Sequence, residues 1–210
     1  MNRLFVTICA LMLFPRGAGA ESIRELFARV PRSVMPLLDR SARLDLMDLY
    51  GSALPAKCEN MFGGQTQMTA LTEHTVTLAT TAVGQWQLVL IEQPADTLLM
   101  TLYTLNANGK STEVTFYDTQ WRERTETIVK TPSFNDFWCP PIGADENRLR
   151  VCRNTLSNAP VTAEWDDETK RLTFRISTDG IDAGIREEAA KCLCPVEMEW
   201  KMRNGKYGFS

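Results

Sequence analysis

Two cysteines separated by one residue, Cys192 and Cys194, are the closest pair of cysteines in the sequence. Together with Cys139 and Cys152 they offer four thiols, but structural zinc sites usually take two cysteine pairs with two residues inside each pair. A thioredoxin-like redox motif also needs two intervening residues, at the start of a helix, whereas these cysteines follow a predicted helix end. The spacing therefore favours structural cysteines and predicts neither stoichiometric zinc nor a redox centre.

Disulfide bonds are the alternative to a metal or redox role. We predict that Cys139 and Cys152 close the irregular segment between them, and that Cys58 pairs with Cys192 or Cys194. The five cysteines beyond residue 20 are odd in number, so at least one thiol is unpaired or intermolecular. A bond between Cys192 and Cys194 would require strained geometry and is not expected.

The single histidine, His74, must serve any histidine-dependent catalytic arrangement. It alternates with Val76 and Leu78 in a predicted strand, which is typical of a structural histidine rather than a general base. The sequence contains no Gly-x-Ser-x-Gly elbow, no Walker motif and no dinucleotide motif. We therefore predict no catalytic residue, no metal ligand and no cofactor.

Paired carboxylates are the remaining route to catalysis, because two placed acids suffice for glycoside hydrolysis. Residues 166–168 are acidic but occupy a predicted turn, and Glu197 and Glu199 share the polar face of a predicted strand. Both groups fit a solvated surface, and the twelve-residue spacing of a calcium loop is absent. A secreted hydrolase using carboxylates or a thiol near residues 134–152 stays as an alternative function.

Exposed aromatic side chains would favour binding of a protein or a glycan. Trp121 and Trp138 lie in irregular segments, and we predict that they form a contact surface. The other tryptophans alternate with apolar residues in strands and are expected in the core; these are Trp86, Trp165 and Trp200.

The N-terminus predicts export. A short basic start precedes an apolar run at residues 4–14, too short to span a bilayer, and small residues at 18–20 suit cleavage before Glu21. We therefore predict a signal peptide at residues 1–20, a periplasmic or secreted protein, and no stable membrane span after cleavage.

The charge balance excludes some partners. Cleavage would remove two arginines and no acid, which changes the formal charge from −3 to −5. An acidic chain with scattered basic residues argues against nucleic acid and anionic membrane surfaces. The full sequence is 44% hydrophobic, and residues 21–210 can form a single domain, with 21–130 and 131–210 as sub-units.

Two helices are predicted at the start of this domain. Ser22 and Glu25 form a capping box, and the helix they begin should end near Pro31. A second helix is expected with Ser41 as its N-cap and Gly51 at its end.

Strands follow the helices, because the apolar period changes from 3.6 residues to two. The pattern predicts an antiparallel meander of four strands with Asn108 and Gly109 in one turn; the strands are residues 69–81, 85–92, 96–105 and 111–118. Residues 130–158 show no sustained period, and we expect an irregular connection there with one or two helical turns.

The C-terminal part is predicted to form a hairpin, a helix and a strand. Alternation predicts the hairpin over residues 161–176, the helix over 183–193 and the strand over 196–202, with Asn204 and Gly205 in a turn. If the alternation of the last strand continues across Pro195, Cys194 faces the core.

These elements predict an α+β fold. Two N-terminal helices precede an antiparallel β-meander, and a C-terminal hairpin–helix–strand unit extends the sheet or packs on it.

Three segments of the sequence are distinctive: ARLDLMDL at residues 42–49, MTALTEH at residues 68–74, and Trp200 followed after four residues by Gly205 and Lys206. In these segments the chain resembles a family of secreted Bacteroidales proteins known as a domain of unknown function. It implies export from an anaerobic Gram-negative cell and a small α+β fold, and it assigns no catalytic or binding residue.

The predicted function is therefore non-catalytic binding in the cell envelope, with an unknown protein or glycan partner. The hydrolase described above is one alternative, and an inhibitor of a secreted enzyme is another.

Overall fold

The computed structural model describes residues 21–210 apart from 94–96, 108, 126–127 and 204–205. The predicted signal peptide and the turns predicted at Asn108 and at Asn204–Gly205 therefore lie outside the described residues. Among the described helices, none is long and apolar enough to cross a membrane.

Two helices open the fold, as predicted. Helix α1 (Ile23–Ala28) has the capping box in full, since the Ser22 hydroxyl accepts from the Glu25 amide and the Glu25 carboxylate accepts from the Ser22 amide. Helix α2 (Arg40–Gly51) ends at the predicted glycine but begins earlier than expected. Asp39 rather than Ser41 is its N-cap, because the Asp39 carboxylate already accepts from the Ala42 amide at 2.8 Å.

The sheet that follows is an antiparallel meander, as predicted, but it has six strands instead of four. Its strands lie in sequence order; they are β1 (Lys57–Glu59), β2 (Gln65–Leu71), β3 (Thr75–Ala79), β4 (Gly84–Glu92), β5 (Thr97–Asn106) and β6 (Lys110–Tyr117). The strand predicted at residues 69–81 is wrong, because the chain turns between Leu71 and Thr75. The Thr72 hydroxyl holds this turn by accepting from the amides of His74 and Thr75.

The C-terminal part forms a second antiparallel sheet. Its strand order is β10-β9-β8-β7, and the elements in this part are α3 (Phe134–Phe137), α4 (Glu146–Leu156), β7 (Val161–Asp166), β8 (Arg171–Ile176), α5 (Ala183–Ala190), β9 (Val196–Arg203) and β10 (Lys206–Phe209). The predicted hairpin, helix and strand are confirmed. Helix α4 replaces much of the segment predicted to be irregular, since Asp145 caps it by accepting from the Arg148 amide.

Two apolar cores lie on opposite faces of the six-stranded sheet. Helices α1 and α2 cover one face, where Leu46 and Leu88 are fully buried. On the other face, Val89 and Met100 join a core that includes Leu172 of the second sheet. The apolar run in β4 reflects this burial from both sides. The C-terminal unit therefore packs on the sheet, with contacts between β6 and β7 and a hydrogen bond from the Lys110 amide to the Ser177 hydroxyl.

Candidate functional site

A cleft of about 390 Å³ opens beside the N-terminal helices, on the face of the six-stranded sheet that they pack against. Residues 33–37, which lead into α2, form one wall, and the sheet forms the floor. This volume lies in the range of small-molecule sites, about 300–1,000 Å³. The cleft is therefore large enough to hold a small ligand.

Strand register determines which side chains form the floor. Across β4, β5 and β6, Trp86 pairs with Tyr103 and Tyr103 with Glu113, while Thr101 pairs with Thr115. Directly opposite residues of antiparallel strands point to the same face. Helix α1 packs on β3 and β4, and α2 packs on β1 and β2. Both helices thus lie over β1 to β4. The polar side chains of β5 and β6 on this face therefore lie next to residues 33–37 and form the floor of the cleft.

Three hydroxyl groups converge around Gly84 at the start of β4. A β-carbon built on Gly84 would lie 2.6 Å from Thr80 Oγ1, 2.9 Å from Thr81 Oγ1 and 3.5 Å from the Tyr103 hydroxyl. Glycine is needed at this position because a larger side chain would displace these groups. Thr80 is fully buried, and its hydroxyl has no hydrogen-bond partner in the described part of the chain. A buried hydroxyl without a partner is uncommon, and it marks this end of the cleft as polar.

Tyr117 contributes a neutral hydroxyl to the cleft. Burial raises the pKa of Tyr117, and the nearby carboxylates of Glu123 and Glu113 raise it further, although Thr115 and Thr101 oppose the rise. The phenol therefore stays protonated at neutral pH and can both donate and accept a hydrogen bond.

The lining of the cleft suits binding of a neutral ligand. Among the described residues that line it, Glu113 is the sole carboxylate, and no lysine or arginine is present. An anionic ligand would find no positive partner there, whereas hydroxyl and aromatic groups recognise neutral, hydroxyl-bearing molecules.

Trp121 does not lie on the surface, and its prediction as a contact residue is wrong. Only 9% of the side chain is exposed, and the indole Nε1 donates to the Leu26 carbonyl at 3.3 Å. Its backbone has a φ of 60°, which turns the ring inward to lie 5.5 Å from the Tyr117 ring. Trp121 thus supports the cleft from behind and links it to α1.

Comparisons with known proteins place the chain in a family. The model of a family described as protein of unknown function (DUF3256) matches residues 16–207. The chain belongs to this family. No match is found among curated proteins.

A solved structure supports the same fold. The chain is similar to a domain of an uncharacterized protein from Porphyromonas gingivalis W83, with a TM-score of 0.70 and 19% sequence identity over 88% of this chain and 97% of that domain. At this identity the likeness concerns the fold alone. The resemblance to a Bacteroidales family of unknown function is confirmed, whereas export stays a prediction.

The cysteines of this DUF3256 chain pair differently from the prediction. A disulfide joins Cys139 to Cys194, whereas Cys152, Cys192 and Cys58 are free thiols. The predicted Cys139–Cys152 bond is wrong because α4 carries Cys152 into the core. The pairing of Cys58 with Cys192 or Cys194 is also wrong. As predicted, Cys192 and Cys194 are not bonded to each other.

Cys194 does not face the core, as it would if the alternation of β9 continued across Pro195. Cys192 is 2% exposed, whereas Cys194 lies at the surface. The alternation of β9 stops at Val196 because Pro195, which lacks an N–H group, separates the strand from the bridge between Trp138 and Leu193. This bridge places Cys194 beside Cys139 and turns Cys192 towards α4.

Trp138 is half-buried at this bridge. Its ring lies 5.5 Å from that of Phe134, and the Arg153 guanidinium lies 5.7 Å from both ring centres. The stack leaves part of the indole accessible, and its role as a contact residue stays a prediction.

The histidine and the carboxylates that the sequence offers for catalysis lie apart from the cleft. His74 sits in the β2–β3 turn, where Nδ1 lies 3.6 Å from Asp167 Oδ2. The carboxylate of Asp166 accepts from the amides of Glu168 and Thr169 in the β7–β8 turn, and Glu197 pairs with Arg171 at 2.9 Å. In the part of the chain that the structure describes, no cluster of three metal-ligating side chains occurs.

Sequence reasoning missed the cleft residues because it treated their strands as plain meander strands. A signal was present in β5 and β6, where Thr101, Tyr103, Glu113, Thr115 and Tyr117 occupy every second position. Such a polar stripe marks a sheet face that the helices do not cover fully.

Proposed function

We propose that this protein is an exported binding protein of the cell envelope and that the cleft holds a small neutral ligand rich in hydroxyl groups, such as a sugar unit of a glycan. The observation that carries the proposal is the cleft itself, where aromatic rings and hydroxyls meet and the described lining residues include no basic side chain.

Three features of the cleft support a sugar-like ligand. Tyr103 and Tyr117, both half-buried, provide aromatic surface for the apolar face of a sugar ring. Threonine and tyrosine hydroxyls can exchange hydrogen bonds with sugar hydroxyls in either direction. Glu113 is exposed, and its carboxylate can accept hydrogen bonds from a ligand at the rim of the cleft.

Export is the second part of the proposal, and the N-terminal pattern at residues 1–20 supports it. The Cys139–Cys194 disulfide is consistent with it, because disulfides persist in oxidising compartments such as the periplasm. The hydrolase alternative has less support, since Cys139 is bonded and Cys152 is only 3% exposed.

The experiment is a titration of the protein with neutral mono- and oligosaccharides, followed by intrinsic tryptophan fluorescence, beside a matched panel of sugar phosphates. We expect saturable binding of at least one neutral sugar and weaker binding of its phosphate. Absence of binding across the neutral panel, or preference for the phosphates, would contradict the assignment.

Two conservative variants test whether the binding uses the cleft. Thr115→Val and Tyr117→Phe each remove one hydroxyl and should weaken binding about three- to tenfold, as expected for a hydrogen bond of about 1 kcal/mol. The matched controls are Thr112→Val, on β6 but outside the cleft lining, and Tyr50→Phe, on α2 and partly buried against the first core. If the two control variants weaken binding as much as the cleft variants do, the ligand does not bind in the cleft.

A further inference from the structure

Two free thiols meet in the second core, between α4 and the end of α5. Cys152 lies on α4 and is 3% exposed, and Cys192 follows α5 and is 2% exposed. Both line the same cavity of about 440 Å³, together with side chains of α4 and α5. The two helices also pack directly on each other.

The backbone around Cys192 is held firmly in this position. The Cys192 carbonyl accepts from the Cys139 amide at 2.9 Å, and the Cys194 amide donates to the Phe137 carbonyl at the same distance. The neighbouring Cys139–Cys194 disulfide covalently fixes the same two segments. Cys192 therefore faces Cys152 from a fixed point of the structure.

We propose that Cys152 and Cys192 form a second disulfide when the protein matures under oxidising conditions. Each thiol loses one proton, the two sulfurs form the bond, and the two electrons reduce an oxidised thiol–disulfide reagent, such as oxidised glutathione or an oxidoreductase disulfide, to its two thiols. The new link lies inside the loop closed by the Cys139–Cys194 bond.

The chemistry of the thiols indicates when this bond forms. Burial raises the pKa of the Cys192 thiol, and the neighbouring Cys152 thiol raises it further. A buried thiol with little thiolate exchanges slowly. The bond therefore forms during folding, before α4 closes over Cys192, rather than by later oxidation of the folded protein.

The proposal also assigns the unpaired thiol. With four cysteines of the C-terminal part in two bonds, Cys58 on β1 remains as the free thiol among the described residues. Burial raises the pKa of Cys58, and two acids, Asp45 on α2 and its N-cap Asp39, raise it further. A half-buried thiol of this kind reacts poorly, which suits an exported protein with an odd cysteine.

Peptide mapping tests the pairing directly. The full chain is refolded in oxidised and reduced glutathione, its remaining thiols are alkylated, and it is digested with trypsin without reduction. Trypsin releases Cys152 on residues 151–153, Cys139 on 131–148, and Cys192 with Cys194 on 192–201. The proposal requires all three peptides in one cross-linked species. Recovery of residues 151–153 with alkylated Cys152 overturns it, whether or not the other two peptides are joined.

A variant identifies the partner of Cys152. In Cys192→Ser, residues 151–153 should be released with alkylated Cys152, while residues 131–148 stay joined to 192–201 through Cys194. If residues 151–153 stay linked in this variant, Cys152 pairs with another cysteine and the proposed pairing is wrong. Cys58→Ser is the control and should leave the three-peptide species intact.

Discussion

Arg43 is a buried charged residue whose side chain stabilises the fold. It is 5% exposed, and its guanidinium donates to the carbonyls of Leu38 at 2.7 Å and Ala28 at 3.1 Å. Without these hydrogen bonds, the two carbonyls would be buried between the N-terminal helices and their connection with no partner. Burial lowers the pKa of Arg43, but the group stays charged at neutral pH.

We predict that Arg43→Ala destabilises the fold by about 3 kcal/mol, because hydrogen bonds from a charged donor are lost and two carbonyls are left without partners. Arg40→Ala is the matched control, since Arg40 is exposed on the same helix and its loss should cost less than about 0.5 kcal/mol. Urea unfolding of both variants gives the comparison. Equal losses of unfolding free energy in the two variants would show that the hydrogen bonds from Arg43 to the two carbonyls contribute nothing.

The turn that follows β6 is held by the carboxylate of Asp118. Asp118 accepts from the amides of Gln120 and Arg122 and from the Arg122 side chain at 2.7 Å. Burial raises the pKa of Asp118, but these hydrogen bonds together outweigh it, and the pKa lies below its ordinary value. This turn holds Trp121 in its left-handed conformation behind the cleft.

The lowered pKa makes the contribution of this turn dependent on pH. Because the unfolded chain binds the proton more readily, the stabilisation is complete above the ordinary pKa of about 3.9 and is lost as the pH falls through the lower folded value. The stability difference between the wild type and Asp118→Ala should therefore shrink between pH 6 and pH 2.5 in urea unfolding. Asp48→Ala, at an exposed site on α2, should give a smaller difference at pH 6. A gap for Asp118→Ala that stays constant with pH would contradict this role.

Most elements could be predicted from sequence because their signals are local. Ser22 and Glu25 mark α1, short apolar runs mark β4 and β5, and period-two alternation marks β9. The failures arise where a side chain changes the path of the chain. The Thr72 hydroxyl holds a turn that divides one predicted strand into two. Asp145 caps the start of α4, a helix whose apolar face is narrow and consists of Leu149, Cys152 and Leu156.

The cleft and the disulfide were harder to predict because they join distant segments. Residues 33–37 meet β5 and β6 only after the helices have packed on the sheet. The Cys139–Cys194 bond spans 55 residues and depends on the bridge between Trp138 and Leu193. The polar stripe of β5 and β6 indicates an open sheet face, but neither the segment that meets it nor the partner of Cys139 follows from a periodic pattern, since register across distant segments is set by tertiary packing.

At the scale of the whole molecule, the second core couples the two sheets. Met100 and Phe116 of the six-stranded sheet share it with Leu172 and Phe174 of the four-stranded sheet. The Phe116 and Phe209 rings lie 6.1 Å apart, which joins the outer strands of both. Neither sheet can lose its structure without exposing apolar surface of the other, which favours a single cooperative unit over two independent sub-units.

We therefore predict one unfolding transition, in which far-ultraviolet circular dichroism and tryptophan fluorescence report the same midpoint. Leu78→Ala in the first core and Leu172→Ala in the second remove fully buried side chains. Each should cost about 2–5 kcal/mol, and each should lower both midpoints together, because the sheets share the second core. Two transitions, with Leu172→Ala moving only one of them, would instead show that the sheets unfold independently.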